Sequence, residues 1–326
     1  MTLRHIGLED CRQLADGFPK PYHEDYFAMY SSVFGGVVTH PFLMMVPVDD
    51  HMVHRGDGVF ETFKCVDGCV YNLHRHLDRL ERSSRALHLA GPASRSEITE
   101  IIVATIRISA VRDCLIRLFV SRGPGGFTVN PYECPATQLY VVTAKLHVPA
   151  EEEYSRGVSV KCSSVPPKKP YFANVKSCNY LQNTLMKKEA VDADVDYTIS
   201  LDEQGFVGEG ASENIAIVNQ DGVLKLPSFG RILKGTTVSR AVEMLEEQGA
   251  RGRIQAISFE DITLTDAYNS REVLIFGTSF DVVAAVQFDG QPVGSGKPGP
   301  VFQFLHERFQ WDVRRNRAMQ TPVYER

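Results

Sequence analysis

The chain has 326 residues, of which 43% are hydrophobic and 23% are charged, and its formal net charge is −5. These values are typical of a globular protein of about two domains, and the acidic balance argues against a nucleic-acid partner. No apolar run approaches the roughly 20 residues of a membrane-spanning helix, so no membrane partner is expected.

The first residues and the cysteines indicate the compartment. The stretch MTLRHIGLEDCRQLADGF lacks the apolar core of a secretory signal, and its acidic residues Glu9, Asp10 and Asp16 are untypical of a transit peptide. Seven scattered cysteines, an odd number, fit reduced thiols better than a disulfide framework. Their spacing to one another and to the histidines does not indicate zinc. We therefore expect a cytoplasmic protein without a metal site.

The first half of the chain predicts a small α/β domain over residues 39–147. Residues 1–38 show little periodicity but are rich in aromatic side chains, and we expect an N-terminal extension that packs over this domain or over a partner subunit. Pro149 and the acidic run after it predict a linker over 148–156. In chain order, the predicted elements are a strand over 42–48, a polar loop over 49–55, a hairpin of strands 59–66 and 69–73, helices over 75–87 and 94–106, and strands over 114–121 and 138–146.

Beyond the linker, many short strands alternate with few helices. This pattern indicates an α+β domain with a barrel-like sheet, rather than a doubly wound parallel sheet, over residues 157–326. The predicted strands cover 158–162, 197–201, 215–218, 223–226, 273–276 and 282–288, and the predicted helices follow Lys176 and cover 237–248 and 301–309.

Lys176 lies where an extended segment turns into a helix. Prolines 166, 167 and 170 before it block helix formation, and the apolar residues Leu181 and Leu185 after it recur at helical spacing. A lysine held in this way and partly desolvated beside other cations can lose its proton and attack an aldehyde or ketone.

Four stretches resemble the signatures of one enzyme family. They are HRGDGVFETFKCVDGCVYNLHRHLDRLERSS (54–84), FANVKSCNYLQNTLMKKEA (172–190), ISLDEQGFVGEGASENIAIV (199–218) and RILKGTTVSRAVEML (231–245). Through them the chain resembles the class IV aminotransferases, the pyridoxal phosphate enzymes that include branched-chain and D-amino-acid aminotransferases and aminodeoxychorismate lyase. Residues 29–63 look most like the plant-type D-amino-acid transaminases. The resemblance implies fold type IV, in which a small N-terminal α/β domain precedes a larger C-terminal pseudo-barrel domain, and it implies a homodimer.

The same resemblance implies roles for individual residues. Lys176 is the expected catalytic residue, which binds the aldehyde of pyridoxal 5'-phosphate and carries a proton of the substrate. Glu209 corresponds to the acid beside the ring nitrogen, where a carboxylate keeps the ring protonated. The expected phosphate contacts are Arg79, Thr236, Thr237 and Thr278, the further cofactor contacts are Leu233 and Tyr180, and the substrate contacts are Arg117 and Phe60.

The chain departs from the family pattern at three places. Tyr180 stands one residue closer to the lysine than in branched-chain enzymes, and Arg240 is displaced relative to the family's arginine. The Arg-x-His pair with which bacterial D-amino-acid aminotransferases hold the substrate carboxylate is not evident in SRGPGGFTVNPYECP. The hand of the substrate and its side chain therefore stay open. Local hydrogen bonding is the expected role of His51, His54 and His76.

Three hypotheses follow from the sequence. The first is transfer of an amino group between an amino acid, of the D-amino-acid or branched-chain type, and a 2-oxo acid such as 2-oxoglutarate or pyruvate. The second is aminodeoxychorismate lyase activity, which forms 4-aminobenzoate and requires the same lysine, glutamate and arginine. The third is a non-catalytic relative that binds the cofactor. The complete set of lysine, glutamate, arginine and threonines argues against the third hypothesis.

Overall fold

The computed structural model describes residues 3–247 and 254–324. Helices and two separate sheets make up the described part, which agrees with the predicted α+β class. No described helix is long and apolar enough to cross a membrane.

The first sheet is antiparallel throughout and has the strand order β16-β4-β3-β5-β6-β1-β2. Its strands are β1 (Tyr26–Ser31), β2 (Gly36–Val38), β3 (Gly58–Val66), β4 (Cys69–Tyr71), β5 (Cys114–Ser121), β6 (Gln138–Ala144) and, from the end of the chain, β16 (Gln320–Pro322). The helices of this part are α1 (Cys11–Gly17), α2 (His51–Arg55), α3 (Leu73–Ala86) and α4 (Arg95–Ser109).

Helices α3 and α4 contribute to the apolar core of the first sheet because their sequences carry apolar residues at helical spacing. Leu77 and Leu80 of α3 and Ile102 of α4 are buried in one cluster with the inward side chains of β5. Ser94 and Glu97 close the predicted capping box at the start of α4. The predicted hairpin of β3 and β4 and both helices are confirmed, with ends that differ by a few residues.

Two expectations for the first domain are wrong. The predicted strand over 42–48 is a short 3-10 turn, Pro41–Leu43, followed by irregular chain, and Pro47 would have lacked the N–H that a sheet needs. The polar loop after it contains α2, capped by Asp50, whose side chain accepts a hydrogen bond from Met52 N at 2.9 Å.

The N-terminal extension is shorter than expected. β1 pairs with β6 and with β2, so these two strands form one edge of the first sheet instead of covering it from outside. At the opposite edge β16 pairs with β4, which brings the end of the chain back to the first domain. The pairings of β1 with β6 and of β16 with β4 join residues far apart in sequence, and local patterns do not predict such partners.

The second sheet has the order β12-β11-β10-β13-β14-β7-β8-β9 and mixes parallel with antiparallel pairs. Its strands are β7 (Val158–Cys162), β8 (Tyr197–Leu201), β9 (Val207–Gly210), β10 (Asn214–Val218), β11 (Val223–Leu226), β12 (Ala256–Phe259), β13 (Glu272–Gly277) and β14 (Asp281–Phe288), with β15 (Gln291–Pro292) beside β14. The helices of this part are α5 (Glu151–Arg156), α6 (Pro170–Ala173), α7 (Leu181–Asp192), α8 (Thr236–Glu247), α9 (Leu264–Tyr268) and α10 (Pro300–Arg315).

Most predicted elements of the second half are confirmed, with some differences at their ends. The predicted linker contains α5, whose Tyr154 is buried against the second core. The end of α8 that was predicted at residue 248 lies outside the described residues. The helix after Lys176 exists, but Leu181 and Leu185 are 66% and 42% exposed, so the apolar residues that predicted it do not form its buried face.

The segment that carries Lys176 is held against the end of β3. Phe60 N donates a hydrogen bond to Lys176 O at 2.9 Å, and Cys178 N donates one to Gly58 O at 2.8 Å. Ser83 of α3 accepts a hydrogen bond from Lys176 N at 3.2 Å. Because α7 begins only at Leu181, residues 176–180 are not helical, and these contacts with β3 and α3 hold the backbone of the lysine in place.

Candidate active site

A cleft with about 420 Å³ of empty space brings together most of the residues that the sequence predicted. Phe60 lies beside it, with its ring centroid 4.5 Å from Lys176 Nζ. The predicted residues that line the cleft are Arg79, Lys176, Tyr180, Glu209, Leu233, Thr236, Thr237 and Thr278.

Lys176 is buried, and its Nζ lies beside two aromatic rings. Its Nζ donates a hydrogen bond to Tyr180 Oη at 3.2 Å and lies 4.5 Å from the ring centroid of Phe60. Burial and the nearby Arg79 guanidinium lower the pKa of Lys176 to about 7, against the opposing effect of Glu61 and Glu209. At neutral pH a large share of this lysine is therefore the neutral amine, the form that attacks a carbonyl carbon.

Glu209 lies in the cleft wall formed by β9. Its Oε2 accepts a hydrogen bond from Leu233 N at 3.0 Å, and its backbone carbonyl accepts one from Ser200 Oγ at 2.9 Å. Burial raises the pKa of Glu209 to about 7, although Leu233 N–H and the cations Lys168 and Lys176 oppose the rise. A carboxyl group in this setting becomes more acidic when a cationic partner enters the cleft, so it is suited to hold a protonated ring nitrogen.

Arg79 reaches the cleft from α3 and is held by a buried carboxylate. Its Nε and Nη2 donate to Glu61 Oε1 and Oε2 at 2.7 and 2.8 Å, and its Nη1 donates to Lys234 O at 3.3 Å. His76 Nδ1 lies 2.7 Å from the same Glu61 Oε2, and its Nε2 lies 3.3 Å from Thr236 Oγ1. One carboxylate thus orients the arginine directly and the threonine through the histidine.

The pKa values of this network follow from that geometry. Burial alone would raise the pKa of Glu61, but the Arg79 guanidinium and His76 outweigh it and hold that pKa at about 2. Burial lowers the pKa of His76 despite the nearby carboxylate. Glu61 is therefore an anion and His76 is neutral near pH 7.

The end of the cleft near Arg79 is built to bind an anion. Thr236 and Thr237 begin α8, whose first N–H groups point out of the helix, and Thr278 follows β13. Gly235 precedes α8, and a Cβ at this position would come within 1.8 Å of Asn214 Oδ1. Only a residue without a side chain lets the turn approach so closely. Hydroxyl groups, helix N–H groups and a guanidinium group are typical contacts of a phosphate.

Two predicted residues need correction or qualification. Arg117 on β5 is exposed and does not line the cleft, so the expectation that it points into a pocket and needs a buried partner is wrong. It pairs in register with Thr62, two residues along β3 from Phe60, and so shares the sheet face of Phe60. Arg240 lies outside the cleft, where its Nη2 donates to Asp312 Oδ1 at 2.9 Å.

Sequence reasoning missed several residues of the site. Glu61 stood inside a quoted signature, but the sequence did not show that it meets Arg79. Asn183 of α7 donates to Ala211 O at 2.7 Å, and its buried Oδ1 has no hydrogen-bond partner in the described part of the chain. Asn214 donates to Leu233 O at 2.9 Å and so fixes the turn before α8.

Histidines and cysteines form no metal centre within residues 3–247 and 254–324. His51 Nε2 lies 3.1 Å from Gly126 O, and His54 Nε2 lies 3.3 Å from Asp49 O, as expected for local hydrogen bonding. Cys178 packs near the lysine, and burial raises the pKa of its thiol to about 12, so it is not a nucleophile at neutral pH.

Comparisons with known proteins identify the family of this chain. The family model described as "Amino-transferase class IV" matches residues 58–288. The D-amino-acid transaminase, chloroplastic, of Arabidopsis thaliana is 36% identical over 292 residues, which cover 89% of this chain and 78% of that protein. A putative branched-chain-amino-acid aminotransferase of Methanocaldococcus jannaschii is 35% identical over 270 residues, which cover 82% of this chain and 91% of that protein.

A solved structure also matches. The branched-chain amino acid aminotransferase from T.th., solved with pyridoxamine 5'-phosphate, has a TM-score of 0.84 and 26% sequence identity, and the match covers 92% of this chain and 99% of that one. This similarity confirms the predicted fold. The match to the family model and the identity to the two relatives show that the chain belongs to the class IV aminotransferases.

Proposed function

We propose that this protein is a pyridoxal 5'-phosphate-dependent transaminase. It moves an amino group between an amino acid, of the D-amino-acid or branched-chain type, and a 2-oxo acid such as 2-oxoglutarate or pyruvate. The observation that carries the proposal is that the buried Lys176 shares one cleft with the carboxyl group of Glu209 and with a phosphate-type anion site.

The residues of the cleft fit this cofactor. Arg79, Thr236, Thr237, Thr278 and the N-terminus of α8 would hold the phosphate, and Glu209 would face the ring nitrogen. The lone Oδ1 of Asn183 is a buried acceptor that calls for a donor or a water in the cleft. Leu233 and Tyr180 would contact the ring, because both line the cleft beside Glu209 and Lys176.

When it is bound, the cofactor supplies an electron sink for the carbanion that forms at the substrate α-carbon. The protein residues supply the remaining requirements. Lys176, neutral in part at pH 7, would hold the cofactor through its amine and would accept and return the proton of the substrate α-carbon. Tyr180 Oη, 3.2 Å from Lys176 Nζ, orients this amine. The rings of Phe60 and Tyr180 pack edge to face beside this amine, with their centroids 4.9 Å apart.

The relatives favour transamination over the lyase alternative. Those with the matches described above are named as a transaminase and as aminotransferases. A D-alanine aminotransferase of Bacillus licheniformis matches as well, with 28% identity over 81% of this chain. The non-catalytic alternative is disfavoured because lysine, glutamate, arginine and threonines all face one cleft.

The homodimer and the compartment also belong to the proposal. Leu181 and Leu185 on α7 are exposed apolar side chains close in sequence to Lys176, and a second subunit would cover them. The described cysteines are all free, which fits a reducing compartment such as the cytoplasm. Sedimentation equilibrium that finds only monomers at micromolar concentration would contradict the dimer.

An absorption spectrum of the purified protein tests the function. We expect a visible band after addition of pyridoxal 5'-phosphate, its absence in Lys176→Ala, and its loss when the substrate amino acid is added without an acceptor. D-alanine, L-leucine and L-glutamate, added separately, would identify the hand and the class of the substrate. A protein that shows no band with excess cofactor would refute the proposal.

A second assay separates the lyase alternative. The protein is incubated with aminodeoxychorismate in the absence of any 2-oxo acid. Transaminase function predicts no release of pyruvate, whereas steady release of pyruvate and 4-aminobenzoate would establish the lyase.

A further inference from the structure

The expected phosphate site is divided between two helices that belong to different cores. Arg79 lies on α3, whose Leu77 is buried in the core of the first sheet. Thr236 begins α8, whose Val238 is buried in the core of the second sheet. Each helix is thus positioned by its own half of the protein. A phosphate group that binds both Arg79 and Thr236 therefore needs a contact that fixes the distance between the two halves.

The contacts between the two halves within the site are long. His76 Nε2 of α3 lies 3.3 Å from Thr236 Oγ1, and Arg79 Nη1 donates to Lys234 O, just before α8, at 3.3 Å. Hydrogen bonds between nitrogen and oxygen are usually about 2.7 to 3.2 Å long. These two contacts therefore hold the helices together only weakly.

A shorter contact joins the same two helices farther along. Arg75 Nη1 and Nη2 donate to Glu243 Oε1 and Oε2 at 2.6 and 2.7 Å. Arg75 lies one helical turn before Arg79, and Glu243 lies two turns after Thr236, so each is on the helix face that carries its site residue. Both side chains are partly buried. The pair thus continues the line of contact between α3 and α8 beyond the cleft, which neither residue lines.

Glu243 is held in this position by a network that returns to the first sheet. Arg240 Nη1 donates to Glu243 Oε2 at 3.0 Å, and Arg240 Nη2 donates to Asp312 Oδ1 of α10 at 2.9 Å. Asp312 Oδ2 accepts a hydrogen bond at 2.5 Å from Tyr71 Oη of β4, the strand before α3. Burial opposes the ionisation of Glu243, but the hydrogen bonds from Arg75 and Arg240 outweigh it and lower its pKa. Glu243 is therefore an anion near pH 7.

We propose that Glu243 is a positioning residue of the cofactor site. By binding Arg75, it holds α8 against α3 at the distance at which Arg79 and Thr236 can contact one phosphate group. Glu243 does not line the cleft, so it acts through the two helices rather than on the phosphate itself. The inference rests on the proposed transaminase function, because that function supplies the phosphate group.

Binding of two matched ligands tests the role of Glu243. Pyridoxine 5'-phosphate and pyridoxine differ by the phosphate, and both lack the aldehyde that reacts with a lysine. Titration calorimetry of Glu243→Gln should show about tenfold weaker binding of pyridoxine 5'-phosphate, because a lost hydrogen bond to a charged group costs about tenfold or more in affinity. Binding of pyridoxine should stay within about twofold of the wild type.

The charge of Glu243 by itself would have the opposite effect. Removal of an anion from α8 favours the approach of another anion, so charge alone would strengthen phosphate binding in Glu243→Gln. Arg75→Lys breaks the two-bonded geometry from the side of α3 and keeps the charge, so it should weaken phosphate binding as well, and it serves as a second test should Glu243→Gln fail to fold. Unchanged or tighter binding of pyridoxine 5'-phosphate to either folded variant would overturn the inference.

Glu247→Gln is the matched control. Glu247 lies on the same helix and also accepts a hydrogen bond from Arg240, at 3.1 Å, but its side chain is 54% exposed and this ion pair lies within α8. The substitution removes the same charge and leaves the link to α3 intact, so both ligands should bind within about twofold of the wild type. A fall as large as in Glu243→Gln would overturn the inference, since it would trace the effect to Arg240 instead of Arg75.

The wild-type protein separates this inference from the proposed function. A wild type that binds the two ligands equally has no phosphate site, which refutes the transaminase function and the inference with it. A wild-type preference for pyridoxine 5'-phosphate that Glu243→Gln retains overturns the role of Glu243 and leaves the proposed function standing. Urea denaturation of the same variants measures stability separately. A loss of stability with an unchanged preference would assign Arg75 and Glu243 to the fold alone and so overturn the inference.

Discussion

Replacement of Glu61 by glutamine should destabilise the protein because it leaves Arg79 buried without its counter-charge. Glu61 is fully buried and accepts two hydrogen bonds from the guanidinium at 2.7 and 2.8 Å. Its pKa of about 2, against an ordinary value of 4.5, corresponds to about 3 kcal/mol. Removal of one partner of a buried ion pair typically costs about 3 to 5 kcal/mol. We therefore expect Glu61→Gln to lower the free energy of unfolding by about 3 kcal/mol.

Urea denaturation of the protein without added cofactor measures this loss. Asp78→Asn is the control, because Asp78 also accepts a hydrogen bond from an arginine, Arg95 at 2.6 Å, but both side chains are exposed by more than a third. It should cost no more than about 1 kcal/mol. The low pKa of Glu61 means that its contribution is complete above about pH 4.5 and is lost as the pH falls through about 2. The difference between wild type and variant should thus be constant from pH 5 to pH 8.

A double-mutant cycle provides the refutation. Glu61→Gln combined with Arg79→Gln removes both charges, so the double variant should lose clearly less stability than the sum of the two single losses. Strict additivity, or a loss below about 1 kcal/mol in Glu61→Gln alone, would show that the pair does not stabilise the fold in the way its geometry indicates.

Two further predictions concern the cleft itself. Lys176→Met should make the protein without cofactor more stable than wild type at pH 7. The lowered lysine pKa means that folding carries a cost in free energy, which is complete below about pH 7 and disappears above about pH 10.5. Urea denaturation should therefore show a smaller gain in stability at pH 10.5 than at pH 7, and an equal gain at both pH values would contradict this reasoning. Gly235→Ala should weaken cofactor binding more than tenfold in an absorption titration, since its Cβ would collide with Asn214, whereas Gly230→Ala, with nothing within 4 Å, should bind as wild type does.

The catalytic candidates could be predicted from the sequence because each of them stands in a short, contiguous motif. Lys176, Glu209 and Arg79 stand in three separate stretches, and each stretch has residue types that few other functions require. The structure brings the three to one cleft. Arg117 failed as a pocket residue because strand alternation defines two faces, and the sequence does not say which face meets the cleft.

Local sequence patterns determined the helices, strands and turns of this protein. Long-range contacts decided which strands pair, which side chains are buried and which charged groups meet. Apolar spacing, the capping box of α4 and the turn between β3 and β4 act over a few residues, so they can be read directly from the chain. The partners of β1 and β16, the exposure of Leu181 and the meeting of Glu61 with Arg79 depend on residues far away in sequence. The near-neutral pKa of Lys176 belongs to the second group, because burial and neighbouring charges exist only once the chain has folded.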